Sequence, residues 1–339
     1  MTTYWRPLPQ VGPARPDGAP TLAGGWAWFT HVEVLERGRA PRLEPAEALP
    51  GDWRARLTAP RAPLMGLGWD RPRLMGILNV TPDSFSDAGM HAEAKVAIAA
   101  GRAMAGEVDL IDIGGESTRP GAGEVPAEEE EARVLPVIRA LAGGPRPLSI
   151  DTRKAGVARA ALGAGAAMVN DVSALSFEAG MAALVAEARV PLCLMHAQGS
   201  PETMQDDPRY DDVLLDIFDW LASRVAAAEA AGIGRERILV DPGIGFGKTL
   251  AHNLALLGRV SLFHGLGCPV LVGASRKRFI GTISGAGGGR PRAPGSVAVA
   301  LACAAQGVQV LRVHDTSETA QALALWRAAT AGAWDEDGP

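Results

Sequence analysis

The stretch Ile238-Leu-Val-Asp241-Pro-Gly-Ile-Gly-Phe-Gly-Lys248 decides how the rest of the chain is read. Ile238–Val240 is a short apolar run of strand type, and Pro242 and Gly243 stop it directly after Asp241. A carboxylate at the end of a buried parallel strand stands where α/β folds place their ligands. Two nucleotide-binding patterns come close here and fail. A phosphate-cradling loop ending in Gly247-Lys248-Thr249 would need glycine where Pro242 stands. A dinucleotide fingerprint would need glycine where Lys248 stands. A glycine turn beside a helix-capping aspartate would leave the same mark, so the stretch alone leaves cap and ligand carboxylate level.

Working outward, the pattern of an apolar strand ending in polar residues repeats. Strands are expected at Leu74–Val80, Leu110–Ile113, Leu148–Ile150, Ala166–Val169, Pro191–Met195, Ile238–Val240, Val270–Val272 and Val310–Val313. Helical stretches lie between and after them: His91–Ala105, Glu128–Leu141, Lys154–Leu162, Ala179–Ala188, Asp212–Ala231, Ala251–Val260, Val297–Ala305 and Glu318–Ala329, the last with Asp315 as its expected cap. Eight such units in about 260 residues have the size of a (β/α)8 TIM barrel. The strands are short and mostly non-alternating, as parallel strands covered by helices should be. An open doubly wound sheet is the structural alternative, but its phosphate fingerprint is missing from the first turn. The Gly/Pro-rich stretch Ser284–Pro294 reads as a flexible loop.

Residues 1–70 lack this rhythm. They are rich in proline and glycine, yet they carry Trp5, Trp26, Trp28, Trp53 and Trp69, unlike an aromatic-poor disordered tail. They read as an extension packed on the barrel of residues 71–331, over its N-terminal face, with 332–339 as a tail. The chain of 339 residues is 47% hydrophobic and 21% charged, with a net charge of −5, which gives no support for nucleic-acid or membrane-surface binding. No apolar run reaches the ~20 residues of a membrane span. The N-terminal residues lack the basic and apolar regions of a signal peptide. Cys193, Cys268 and Cys303 are far apart and without metal spacing, which fits a reducing cytoplasm.

The strand ends supply the chemistry. They are Asn79 and the residues to Asp87, Gly114–Gly121, Asp151–Lys154, Asn170-Asp171, His196, Asp241, Ser275-Arg276-Lys277 and Arg312–Asp315. Each alone is more simply a cap or a loop residue, but eight in the same structural position converge on one face of a barrel. Asp151, Asn170 and Asp241 would suit a flat heterocycle with several N–H donors. Lys277 could donate to a ring oxygen or nitrogen. Arg312 and His314 are two apart on a strand and so share a side, where with Asn79 they could hold an anion. A core role for His314 is equally compatible with the spacing. Asn79 also offers a neutral oxygen to a hard metal ion.

Several of these stretches are long enough to carry a resemblance. Gly76–Asp87, Gly114–Gly121, Ser149–Lys154, Met195–Gln205, Asp241–Lys248, Gly273–Gly281 and Arg312–Asp315 resemble, in order, the dihydropteroate synthase family, over roughly residues 71–330. The resemblance implies a (β/α)8 barrel that joins 6-hydroxymethyl-7,8-dihydropterin diphosphate to 4-aminobenzoate in folate synthesis, with Mg2+, as a cytoplasmic homodimer and a target of sulfonamides. It implies that Asp151, Asn170, Asp241, Phe246 and Lys277 face the pterin. Asn79, Arg312 and His314 would hold the diphosphate, with Asn79 on Mg2+, and Thr118, Arg119, Pro120 and Ser275 would form the aminobenzoate side. Asp151, Lys277, Arg312 and His314 would carry the catalytic roles. Ala88, Arg153 and Ala197 depart from the commonest family pattern without removing a proposed ligand. The rival functions are a pterin-binding methyltransferase domain, which would not need the Ser-Thr-Arg-Pro loop, Ser275–Lys277 or Arg312 with His314, and a non-catalytic pterin-binding barrel.

Overall fold

The computed structural model describes residues 2–80, 87–117, 123–200 and 202–333. The chain begins with a small antiparallel sheet of β1 (Thr3–Pro7), β2 (His31–Glu36) and β3 (Arg42–Pro45), followed by the helix α1 (Gly51–Thr58). The expected strand around Ala27–Leu35 forms as β2, but four consecutive residues of it are buried, because it is the central strand of a sheet packed on the barrel.

Eight parallel strands follow: β4 (Arg73–Asn79), β5 (Leu110–Gly114), β6 (Leu148–Asp151), β7 (Met168–Asp171), β8 (Leu192–Met195), β9 (Ile238–Asp241), β10 (Leu271–Val272) and β11 (Val310–Val313). They pair in the order β10-β11-β4-β5-β6-β7-β8-β9. Between the two end strands, Val240 bridges Val270, and the Val240 N–H donates to Pro269 O at 3.0 Å, so the cylinder nearly closes. This is the expected (β/α)8 TIM barrel. The helices α2 (Asp87–Met104), α3 (Ala127–Leu141), α4 (Ala155–Ala164), α5 (Gly180–Ala188), α6 (Val213–Ala230), α7 (Leu250–Gly258), α8 (Arg278–Ser284), α9 (Ala293–Ala305) and α10 (Thr316–Ala331) surround it.

Three local expectations change. Ser284–Pro294 is no open loop: it holds the end of α8, a 3-10 turn at Arg290–Arg292 and the start of α9, where Pro294 is tolerated because a first-turn residue needs no N–H partner. Asp315 stands at the head of α10 but makes no side-chain cap, since its carboxylate accepts from Arg276 instead. The extension is also less confined to the barrel base than expected.

Only its last part, Leu64 to Trp69, closes the base, where both side chains pack with Met75, Leu110, Met168, Cys193, Leu239, Leu271 and Val310. β1 and α1 lie on the flank formed by α6 and the 3-10 stretch Val260–Leu266, while the Trp26 ring nitrogen donates to Ala304 O of α9 at 3.0 Å. Tyr4 meets Phe218 edge-on at 5.5 Å between ring centroids, Trp53 stacks on Phe218 at 5.7 Å, and the Tyr4 hydroxyl donates to Asp219. Aromatic contacts of this kind add to the area that they bury.

Candidate active site

Parallel strands all point the same way, so their C-terminal ends form one rim, and the polar residues that stop them meet there. Asp241 ends β9 and is buried, with one carboxylate oxygen accepting the Gly243 N–H at 2.7 Å. Gly243 makes this possible. Its φ is 67°, and a Cβ there would lie 1.9 Å from His196 O. Burial raises the Asp241 carboxyl to about 6, against the opposing pull of the Gly243 N–H, Lys277, Lys248 and Arg312.

Asp151 ends β6, Asn170 lies beside it in register on β7, and Arg312 reaches across from β11. The Arg312 Nη2 donates to Asp151 at 2.7 Å and its Nε to Asp112 at 2.6 Å, while the Asn170 amide donates to the same Asp112 oxygen at 2.9 Å. Burial pushes the Asp151 carboxyl up to about 7. Arg312 pulls it down, and Asp112 is the largest of the carboxylates that push it further up. Arg312 is held firmly protonated by Asp112 and Asp151 in spite of its burial.

The fully buried Asp112 is the residue that the sequence reading missed. Its signal was present, because an aspartate in the middle of the apolar run Leu110–Ile113 has to face a polar partner inside the fold.

Lys277 precedes α8, and its ammonium sits 3.9 Å from the centroid of the Phe246 ring. That geometry is a cation–π contact, and it brings the turn after β9 against the loop after β10. Ser275 is buried and joins the loop to β11, accepting the His314 N–H at 3.2 Å with the His314 Nδ1 at 3.1 Å. Asn79 ends β4 in an exposed position; its side-chain oxygen and the Asp151 carboxylate both flank Gly114. Asn79, Asp151, Asn170, Asp241, Phe246, Ser275, Lys277, Arg312 and His314 therefore all belong to the rim, and Thr118, Arg119 and Pro120 lie outside the described residues.

One polar strand end turns away from the mouth. His196 is buried behind the rim, edge-on to Trp220 at 4.8 Å, with its Nδ1 2.9 Å from the Lys248 ammonium. Burial, with Lys248 beside it, lowers His196 to about 2, so its ring is neutral at ordinary pH. Below the loop after β5, Lys154 bridges Glu116 and Glu130, and Arg153 bonds Glu116 at 3.0 Å while lying 4.1 Å above the Phe177 ring. Among the described residues no three histidine, cysteine, aspartate or glutamate side chains gather as metal ligands.

Comparison with known proteins agrees with this geometry. Residues 75–314 match the pterin binding enzyme family. The dihydropteroate synthase of Escherichia coli K12 is 46% identical over 259 residues, covering 76% of this chain and 91% of that protein. The chain belongs to the dihydropteroate synthase family. Members of the family are transferases of folate synthesis. The dihydropteroate synthase of Neisseria meningitidis serogroup B is likewise 46% identical, over 268 residues, covering 77% of this chain and 94% of that one. The Xanthomonas albilineans dihydropteroate synthase with 4-aminobenzoic acid superposes with a TM-score of 0.74 at 50% identity, covering 80% of this chain and 98% of that one. The same enzyme with 7,8-dihydropteroate gives a TM-score of 0.69 at 48% identity, covering 77% and 95%. The family match begins at residue 75, so the extension of residues 1–70 lies outside it.

Proposed function

We propose that the barrel mouth condenses 6-hydroxymethyl-7,8-dihydropterin diphosphate with 4-aminobenzoate, giving 7,8-dihydropteroate and diphosphate. The observation that carries this reading is the convergence of Asp151, Asn170 and Asp241 on one buried rim with Arg312 reaching in above Asp112. A flat heterocycle with several N–H donors satisfies such a set, and an apolar ligand would leave it unpaired. Asp241 accepts from the pterin edge, Asn170 and Lys277 complement its remaining polar atoms, and Phe246 covers the ring. Arg312 and His314 stabilise charge on the departing diphosphate. Asp151 stabilises the pterin cation left when the C–O bond to diphosphate breaks, and the neutral arylamine then attacks that carbon and loses a proton. Thr118, Arg119, Pro120 and Ser275 form the aminobenzoate side, where a sulfonamide would compete.

Mg2+ fits this donor set. Asn79 offers one neutral oxygen at the rim, and magnesium keeps most of its waters and takes few protein ligands. When bound it would neutralise diphosphate charge. The three cysteines are free and buried, which supports a reducing, cytoplasmic setting. Among the described residues no helix is long and apolar enough to cross a membrane. Family resemblance implies a homodimer, which sedimentation would test. We read residues 71–331 as the catalytic unit and residues 1–70 as its stabilising extension.

The deciding experiment supplies the purified protein with pterin diphosphate and follows diphosphate release. Release that depends on 4-aminobenzoate is expected. Sustained turnover at the same rate without it, or no release with both substrates, would overturn the reading, and methyl transfer to a corrinoid would move the chain to the rival class.

A further inference from the structure

The turn after β9 is held in an unusual way. Each of three consecutive carbonyls accepts a hydrogen bond from a side chain outside that run. Gln205 donates to Gly245 O at 2.7 Å, the Lys248 ammonium to Phe246 O at 2.8 Å, and the Tyr210 hydroxyl to Gly247 O at 2.8 Å. The Gly245 N–H is held as well, donating to the Asn253 side chain at 2.7 Å. Carbonyls on a turn normally face water, which would satisfy them without help.

Lys248 is the most unusual of the three donors. It is buried, and among the described residues its ammonium bonds only neutral acceptors: Phe246 O, His196 Nδ1 at 2.9 Å and His196 O at 3.3 Å. Its pKa is lowered well below the ordinary lysine value by burial, with Lys277 lowering it further against the pull of Asp241. A buried ammonium is costly, and a turn needing only stability could be built more cheaply from apolar residues. What the arrangement fixes is the peptide that carries Phe246. Gly245 and Gly247 flank it at φ of 82° and 62°, values that leave the backbone many alternatives once the carbonyls are released. The Phe246 ring is also the surface against which Lys277 rests.

We propose that Gln205, Lys248 and Tyr210 are positioning residues for pterin binding. They clamp the Gly245–Gly247 turn from behind, so that Phe246 stays against Lys277 and the pterin pocket exists before substrate arrives. The proposal rests on the functional reading given above. It explains why the loop of residues 202–212 is tied to the turn at two points, although neither Gln205 nor Tyr210 stands at a strand end. It also gives the Gly247-Lys248-Thr249 near miss a different purpose: the lysine points into the protein and holds a carbonyl, where a nucleotide-binding lysine would reach out to phosphate.

The test uses the full chain and the variants Tyr210→Phe, Lys248→Met and Lys248→Gln. Hydrogen exchange at the amides of residues 243–248 is measured first, on the free protein. Both Tyr210→Phe and Lys248→Met should speed exchange there by about tenfold or more, with Lys248→Gln partly restored because it keeps a donor. Steady-state kinetics follow. The KM for pterin diphosphate should rise about tenfold in Tyr210→Phe and more in Lys248→Met, the KM for 4-aminobenzoate should stay level, and kcat should fall by less than the KM rises. In a Phe246→Leu background the Lys248→Met effect on that KM should largely disappear, because the clamp acts through the Phe246 ring. Unchanged exchange in both variants would overturn the clamp, and so would equal KM effects with and without Phe246. Should Lys248→Met lose folding stability, Tyr210→Phe, which keeps the ring and removes one hydroxyl, decides the case. If the wild type fails to bind pterin diphosphate at all, the functional reading fails, while the exchange experiment still judges the clamp.

Discussion

The two ends of the same eight strands have opposite chemistry. At the base, Met75, Leu110, Met168, Cys193, Leu239, Leu271 and Val310 pack around Leu64 and Trp69 into an apolar plug. The charge nearby is paired, with Arg71 and Arg73 both on Asp109, which also takes the Leu74 N–H, and Arg73 on Asp70 as well. At the mouth, Asp112 and Asp241 lie buried beside the partly buried Asp151, with Arg312 as the cation that bonds Asp112 and Asp151. The base lowers the energy of the fold, and the mouth keeps Asp151 and Asp241 at raised pKa values that the fold has to tolerate. A barrel can sustain this because the plug and the rim are separate layers of one cylinder.

The largest effect should come from removing the plug. A chain that begins at Arg71 loses Leu64 and Trp69 from the base and uncovers Phe218 and Phe263 on the flank where Tyr4 and Trp53 pack. The loss should be roughly 5 kcal/mol or more, comparable with the whole stability of many domains. Thermal unfolding and solubility measure it. An unchanged thermal midpoint would make the extension a loose appendage and end the comparison of base with mouth.

At the mouth, Asp241→Asn should bind pterin more weakly by about 2–3 kcal/mol, roughly 30- to 150-fold, because an acceptor becomes partly a donor. Folding should survive. Calorimetry with the unphosphorylated pterin would read the change, and an unaltered affinity would remove Asp241 from the pterin edge.

On the proposed reading, Arg312 and His314 separate anion from ring. Each change to alanine should weaken binding of the diphosphate substrate more than binding of the bare pterin. Arg312→Ala should also lower stability, since it strips Asp112 and Asp151 of their shared guanidinium. Equal losses for both ligands would reassign the pair to structure.

The smallest effect is a pH dependence with opposite signs for folding and binding. Burial raises Asp241 from 3.8 to about 6. Its folded value therefore lies above its unfolded one, and its contribution to stability is complete below about pH 4 and lost as pH rises through about 6. Stability of the wild type relative to Asp241→Asn should fall across that window by on the order of 1–3 kcal/mol. Pterin affinity should rise over the same window as the accepting carboxylate ionises. Affinity that stays flat from pH 5 to 7.5 would show that Asp241 titrates elsewhere.

How far the sequence could be read differs between elements. Val310–Val313 was placed without error, and most other strands within a residue or two, because buried parallel strands are short apolar runs with a sharp polar stop. The start of α9 was placed four residues late, since Pro294 looks like a breaker unless its first-turn position is known. Asp315 was expected to cap α10, but local sequence could not show that Arg276 would claim its carboxylate.

The chain by itself therefore determined the order of its strands, the barrel and the residues at the strand ends, because periodicity and turn chemistry are local and each strand end is marked where it occurs. Tertiary structure decided which of those residues face one another. Asp112 became part of the site because Arg312, 200 residues away, closes on it across the barrel. His196 left the site because Lys248 and Trp220 hold it behind the rim. Trp53 and Trp69 gained their roles only when α6 and the barrel base came together beneath them. Contacts of this kind depend on sequence separations that no local pattern encodes, and burial then sets the charge states that the chemistry uses.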